Sequence, residues 1–164
     1  MAMAQAAPCA DFDPEAVEAA KEKVMYKKII VPIAMDRVPQ GEATLKRALS
    51  LLDAGGEILM LNVVEDLNAY AQGYMIVDFP QQMLDDSIRH AERTLDALKQ
   101  KYNVPGRVLI EVGGASGRIM ELAETEKADL VIIASHQPGL SDYFIGSTAS
   151  RVAAHCHSAV LIDR

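Results

Sequence analysis

Apolar residues in this chain come in short continuous runs, separated by stretches in which they recur every three or four positions. The run "KKIIVPIA", residues 27–34, is followed by a Pro- and Gly-containing turn and then by the amphipathic "EATLKRALSLL". A second run, "EILMLNVV", leads toward "QQMLDDSIRHAERTLDALKQKY", where Met83, Ile88, Leu95 and Leu98 fall at helical spacing. Then follow "RVLIEV", "GGASGRIMELAETEKA", "DLVIIAS", a helix opening at "GSTAS", and the closing run "SAVLIDR". Branched apolar runs bounded by turn residues read as buried strands, and three-to-four spacing reads as amphipathic helix. The pattern predicts five strands alternating with four helices.

Strands that are apolar on both faces need cover on both sides, which parallel strands joined by right-handed helical crossovers provide. The predicted fold is therefore α/β: a doubly wound, five-stranded parallel sheet of order 3-2-1-4-5 with helices on both faces. In that order the winding reverses between strands 1 and 4, and ligands bind at the carboxyl ends of the strands beside the reversal. The end of strand 1, Pro32 to Asp36, then faces the end of strand 4 and the segment from His136 to the last helix.

Two segments lie outside this alternation. Residues 1–25 form an N-terminal extension in which Asp13 and Pro14 read as a helix cap with proline at the first helical position, leaving residues 26–164 as the domain. The connection 65–80 is longer than the ~12 residues beyond which loops are uncommon in a compact domain, and it carries Tyr70, Tyr74, Met75, Ile76 and Phe79. It reads either as a lid or as packing against the core or another subunit.

Composition narrows the function. The 164 residues are half hydrophobic and 24% charged, as in an ordinary globular domain, and the net charge of -7 with no basic patch argues against nucleic acid as a partner. Cys9 and Cys156 are too few for a disulfide framework. The opening residues lack a basic start and an apolar core, and no run approaches the ~18 residues of a membrane span. A cytoplasmic protein without a membrane partner is the expectation.

Among candidate chemical groups, Gly146, Ser147, Thr148 and Ser150 open a helix whose first amides lack internal partners and whose dipole favours an anion. The same residues also suit plain helix capping. His136, directly after strand 4, is able to donate to a phosphate or ribose hydroxyl, or to act as an acid or base near neutral pH. It has no acid or nucleophile in a recognisable catalytic order, and no catalytic residue is assigned. The triplet at 155–157, "HCH", is read as a helix terminus rather than a metal cluster, because adjacent residues diverge. Gly113, Gly114 and Gly117 lack the GxGxxG spacing and follow an edge strand, so they read as a tight turn before a helix. Asp85 with Asp86, and Glu121 with Glu124, read as solvated helix faces. The final strand exposes an apolar edge at Val160, Leu161 and Ile162, which a second copy of the chain would cover.

Taken together, "KKIIVPIAMD", "ILMLNVVED", "GGASGRIMELAETEKADLVIIASH" and "GSTASRVAAHCHSAVLIDR" resemble the universal stress protein family over residues 26 to 164. The stretch "IIASHQPGLSDYFIGSTASRVAAH" is similar to bacterial members of the F and G type. The resemblance implies an adenine nucleotide alpha hydrolase-like fold, a homodimer through the C-terminal strand, and ATP or AMP at the switch point, with Mg2+ accompanying ATP. It implies a stress-response sensor or regulator with weak ATPase activity at most; a family member that no longer binds nucleotide, or a slow ATP hydrolase using His136, is the alternative. Carried over by position, the nucleotide would meet Pro32, Ile33, Ala34, Val63, Ile133, Ser135, His136, Gly146, Ser147, Thr148 and Ala149. Three positions depart from the nucleotide-binding pattern: Ala34 stands where the family has an aspartate, and Ala134 and Gln137 stand at the first and second glycines of the loop.

Overall fold

In the computed structural model, residues 25–66, 81–135 and 145–163 are described. They form β1 (Tyr26–Pro32), a 3-10 turn (Met35–Arg37), α1 (Val38–Leu51), β2 (Leu52–Val64), α2 (Gln81–Tyr102), β3 (Gly106–Val112), α3 (Ala115–Thr125), β4 (Leu130–Ala134), α4 (Ser147–His155) and β5 (Ala159–Asp163). All four pairings are parallel and the order is β3-β2-β1-β4-β5. The predicted architecture is the observed one. Residues 1–24 of the N-terminal extension and residues 67–80 of the long connection 65–80 lie outside the described residues.

Side-chain alternation along the strands builds two cores. Ile29, Val31, Ile33, Ile58, Met60 and Ile132 pack beneath Leu45 and Ala48 of α1 and Leu95 and Leu98 of α2. Ile30, Leu59, Leu61, Val131 and Ile133 pack beneath Ile119 and Ala123 of α3 and Ala149 and Val152 of α4. Burial of a large aliphatic side chain contributes about 1.5–3 kcal/mol, so these two layers dominate the fold's stability.

Three local expectations are corrected. The Pro- and Gly-containing turn before the first helix is that helix's opening: α1 starts at Val38, with proline in its first turn, rather than at Glu42. Proline loses nothing there, because the first helical amides have no intrahelical acceptor. Gly41 lets α1 approach β1, since a Cβ at that position would stand 2.5 Å from Ile33 Cγ2. Strand β2 begins at Leu52 rather than Glu57, because Leu52 pairs with Tyr26 across a register shift that Gly55, at φ +79, accommodates. Met83 is 53% exposed; the buried stripe of α2 starts only at Ala91.

The amino edge of the sheet is held by charge. Asp129 Oδ2 accepts from the amides of Lys27 and Lys28, joining β4 to β1. Lys28 Nζ lies 3.0 Å from Glu57 and 3.1 Å from Glu126, and Arg107 reaches Glu126 at 2.7 Å. Hydrogen bonds from Arg107 and then Lys28 hold the Glu126 carboxyl below its ordinary range. The carboxyl edge is different: β1 and β4 pair only through Ile29–Leu130 and Ile30–Val131 and then separate. Their separation opens the crevice expected at the point of winding reversal.

Candidate functional site

A cleft of about 370 Å³ occupies that opening. Its size lies within the range of small-ligand sites, roughly 300–1,000 Å³. The lining brings together Pro32, Ile33, Ala34, Val63, Ile133, Ser135, Gly146, Ser147, Thr148 and Ala149. Of the residues predicted from sequence, His136 lies outside the described residues together with Gln137 and Asp142, and Ser150 is not part of the lining.

One wall is the start of α4. Gly146 is its N-cap, at φ -54 and ψ 154, with no side-chain hydrogen bond capping the helix. The first turn contains no acidic residue, so the partial positive charge of the helix start is not neutralised from within the helix. The amides of Ser147, Thr148 and Ala149 precede the first intrahelical bond, which runs from Ser150 N–H to Gly146 C=O at 2.9 Å. Ser150 itself is a correction: its hydroxyl donates to Ile145 C=O at 3.0 Å, so both of its donors serve the helix start rather than the cleft.

The opposite end lies over β2. Ile33 N–H donates to Leu61 C=O at 2.8 Å, the last rung between β1 and β2. In a parallel ladder, alternate residues direct both backbone groups to the same neighbour. Val64 C=O accepts from Gly113 on the β3 side, so Val63 directs its N–H and C=O toward β1, where β1 has ended. A donor and an acceptor thus stand side by side at the cleft with no strand opposite them.

Sequence reasoning missed several lining residues. Arg37 supplies a basic group from the turn after β1, with its Nε 3.3 Å from Asp36 Oδ2; Gln40 and Glu65 also line the cleft. Asn62 is 4% exposed, and its Nδ2 donates to Ile33 C=O at 2.7 Å while its Oδ1 has no hydrogen-bond partner. The signal for Asn62 was present in the sequence, as the single polar residue within "ILMLNVV". Arg37 carried no such signal, because its place depends on the turn Met35–Arg37. No group of three or more potential metal ligands occurs among the described residues. Their helices include none long and apolar enough to cross a membrane.

The profile of the universal stress protein family matches residues 25–164. The chain belongs to the universal stress protein family. It is 28% identical over 144 residues to universal stress protein G of Shigella flexneri, spanning 85% of this chain and all of that protein. Among solved structures, it superposes on a protein from Methanocaldococcus jannaschii with a TM-score of 0.69 at 23% identity, covering 85% of this chain and 96% of that one. A universal stress protein in complex with cAMP gives a TM-score of 0.56 at 18% identity, covering 85% of this chain and 98% of the other. A family protein from Arabidopsis thaliana with AMP bound gives 0.54 at 15% identity, covering 83% and 90%. These likenesses agree with the doubly wound sheet expected from the strand pattern and with the adenine nucleotide alpha hydrolase-like fold that the family resemblance implies.

Proposed function

We propose that this protein binds ATP or AMP in the β1–β4 cleft and works as a stress-response sensor or regulator rather than as a fast enzyme. The observation that carries the reading is the pairing of an uncapped helix start with a free strand edge across one cleft. The α4 amides at Ser147, Thr148 and Ala149 suit phosphate oxygens. The Val63 backbone pair suits the amine and ring nitrogen on one edge of adenine, and Pro32, Ile33 and Ile133 supply apolar walls for the base. Some relatives of the same fold hold AMP or cAMP, which makes this ligand class the first to test. With ATP, Mg2+ would be held chiefly by phosphate oxygens and water, as is usual for this ion.

Ala34 favours a second reading, an interaction module that has lost the nucleotide. It offers a methyl group where nucleotide-binding relatives are expected to place a carboxylate, so the ribose end has one fewer acceptor. Under either reading the chain acts as a cytoplasmic homodimer through β5, whose only sheet neighbour among the described residues is β4.

A ligand that binds only the folded state raises its stability, by about 2.7 kcal/mol at a hundredfold excess over Kd. ATP and AMP at millimolar concentration are therefore expected to raise the melting temperature of the protein, while free ribose does not. A melting temperature unmoved by either nucleotide would favour the interaction module.

A further inference from the structure

The mixed bonding of Asn62 is not explained by the fold. Its neighbours on the same face of β2, Ile58 and Met60, are fully buried apolar side chains in the core beneath α1 and α2. An asparagine at the end of that row is out of character unless both ends of its amide are used. One end is: Nδ2 donates to Ile33 C=O. That bond also fixes the orientation of the amide, because a carbonyl accepts only from nitrogen, so the atom left over is the oxygen. The Oδ1 atom is shut off from solvent and has no donor. Buried polar atoms in native proteins are nearly always paired, so an orphan in a cleft-lining residue marks the place of a missing partner.

The topology indicates which part of a ligand arrives there. Phosphates seated on the α4 start share the cleft wall with the end of β4, and β2 stands two strands away across β1. Two strand spacings amount to ~10 Å, which carries a nucleotide from its phosphate to its base. The base therefore falls over the end of β2, beside Val63 and Asn62. An exocyclic amine on the base has two hydrogens. One suits the Val63 carbonyl, and the second has Asn62 as the neighbouring acceptor.

We propose that Asn62 reads the base of the bound nucleotide, its Oδ1 accepting a hydrogen bond from the exocyclic amine of a 6-aminopurine. The inference rests on the nucleotide reading above and adds to it a specificity-determining side chain. A 6-oxopurine presents an acceptor to an acceptor and is rejected. A purine with only hydrogen at that carbon loses the bonds to both Asn62 and Val63, without repulsion. Losing one such bond costs about tenfold in affinity.

The test compares AMP, inosine monophosphate and purine riboside monophosphate by calorimetry on the full chain, native and Asn62→Leu. Asn62→Leu removes both polar ends at similar volume. The native protein is expected to bind AMP at least about tenfold more tightly than purine riboside monophosphate, with inosine monophosphate weaker still. In folded Asn62→Leu the AMP preference over the purine analogue narrows about tenfold, while the preference for ATP over AMP stays unchanged. The Asn62 side-chain amide resonances of the native protein are expected to shift with AMP and much less with the purine analogue, a readout that holds even if the variant does not fold. Equal binding of AMP and the analogue, an undiminished preference in folded Asn62→Leu, or silent Asn62 resonances would overturn the assignment while leaving the nucleotide site standing. Absence of binding by all three ligands to native protein would overturn the site and the assignment together.

Discussion

At the residue scale, the proposed nucleotide site rests on a few backbone groups and on Ala34, which stands where the family resemblance leads one to expect an aspartate. Ala34 lines the cleft at the end of β1 and carries no polar atom on its side chain. Replacing it with aspartate, at this exposed position, would offer an acceptor to the ribose hydroxyls of the proposed nucleotide. A hydrogen bond to a charged group contributes about 1.5–3 kcal/mol, so Ala34→Asp is expected to tighten AMP binding by roughly one to two decades in a calorimetric titration. Unchanged or weaker affinity would mean that the sugar does not pass this position. Asn62 and Ser150 show how far residue identity alone can be read. A lone asparagine in an apolar strand is visible in sequence, but its orphaned oxygen appears only once Ile33 is seen to take the other end of the amide. Ser150 had the right spacing for a ligand, and the structure turns its hydroxyl back onto Ile145.

At the element scale, α1 and α2 are joined by a polar contact that predicts a pH dependence. Tyr102 donates to Glu42, Lys101 Nζ lies 3.0 Å from the same carboxylate, and Lys46 lies 3.4 Å from it. Hydrogen bonds from Tyr102 and then Lys101 hold the Glu42 carboxyl down at about 2, against an ordinary 4.5. A carboxyl depressed in the folded state stabilises the protein above its unfolded value, and that contribution is lost as pH falls through the folded one. Melting temperature is expected to decline between pH 4.5 and about 2, and Glu42→Gln is expected to flatten part of that decline. An identical pH profile in the variant would remove this contact as the cause.

Elements were more legible than their ends. The range predicted for α2 from helical spacing matches the observed Gln81–Tyr102, because a long period of three to four is hard to mistake. The start of α1 was hidden because proline and glycine usually punctuate chains, whereas here Pro39 opens a helix and Gly41 makes room for Ile33. The lead-in of β2 was hidden because its pairing depends on Tyr26 across a register shift. For the site, the helix start at Gly146 and the end of β1 were legible from strand order. Arg37 and Gln40 were not, since only the folded turn and helix bring them to the cleft.

At the scale of the whole molecule, the sheet has two unequal edges. On one side β3 lies next to β2, and on the other β5 lies next to β4, with Val160, Leu161 and Ile162 half-buried on that outer strand. Arg47 of α1 reaches Asp163 at the end of β5, which ties the outer strand to the helix layer. A regular apolar edge strand is a template for a further chain. Light scattering at micromolar concentration is expected to give twice the chain mass, and a monomer across that range would contradict association through β5.

Binding at the proposed site also belongs to this scale, because the ends of β1, β2 and β4 and the start of α4 together line the cleft. Calorimetric titration of the full chain with ATP and AMP, at low and at physiological salt, tests it most directly. The expected result is saturable heat with one site per chain for each nucleotide, weakening as salt screens the phosphates. No heat at millimolar nucleotide, with the protein shown to be folded, would contradict it.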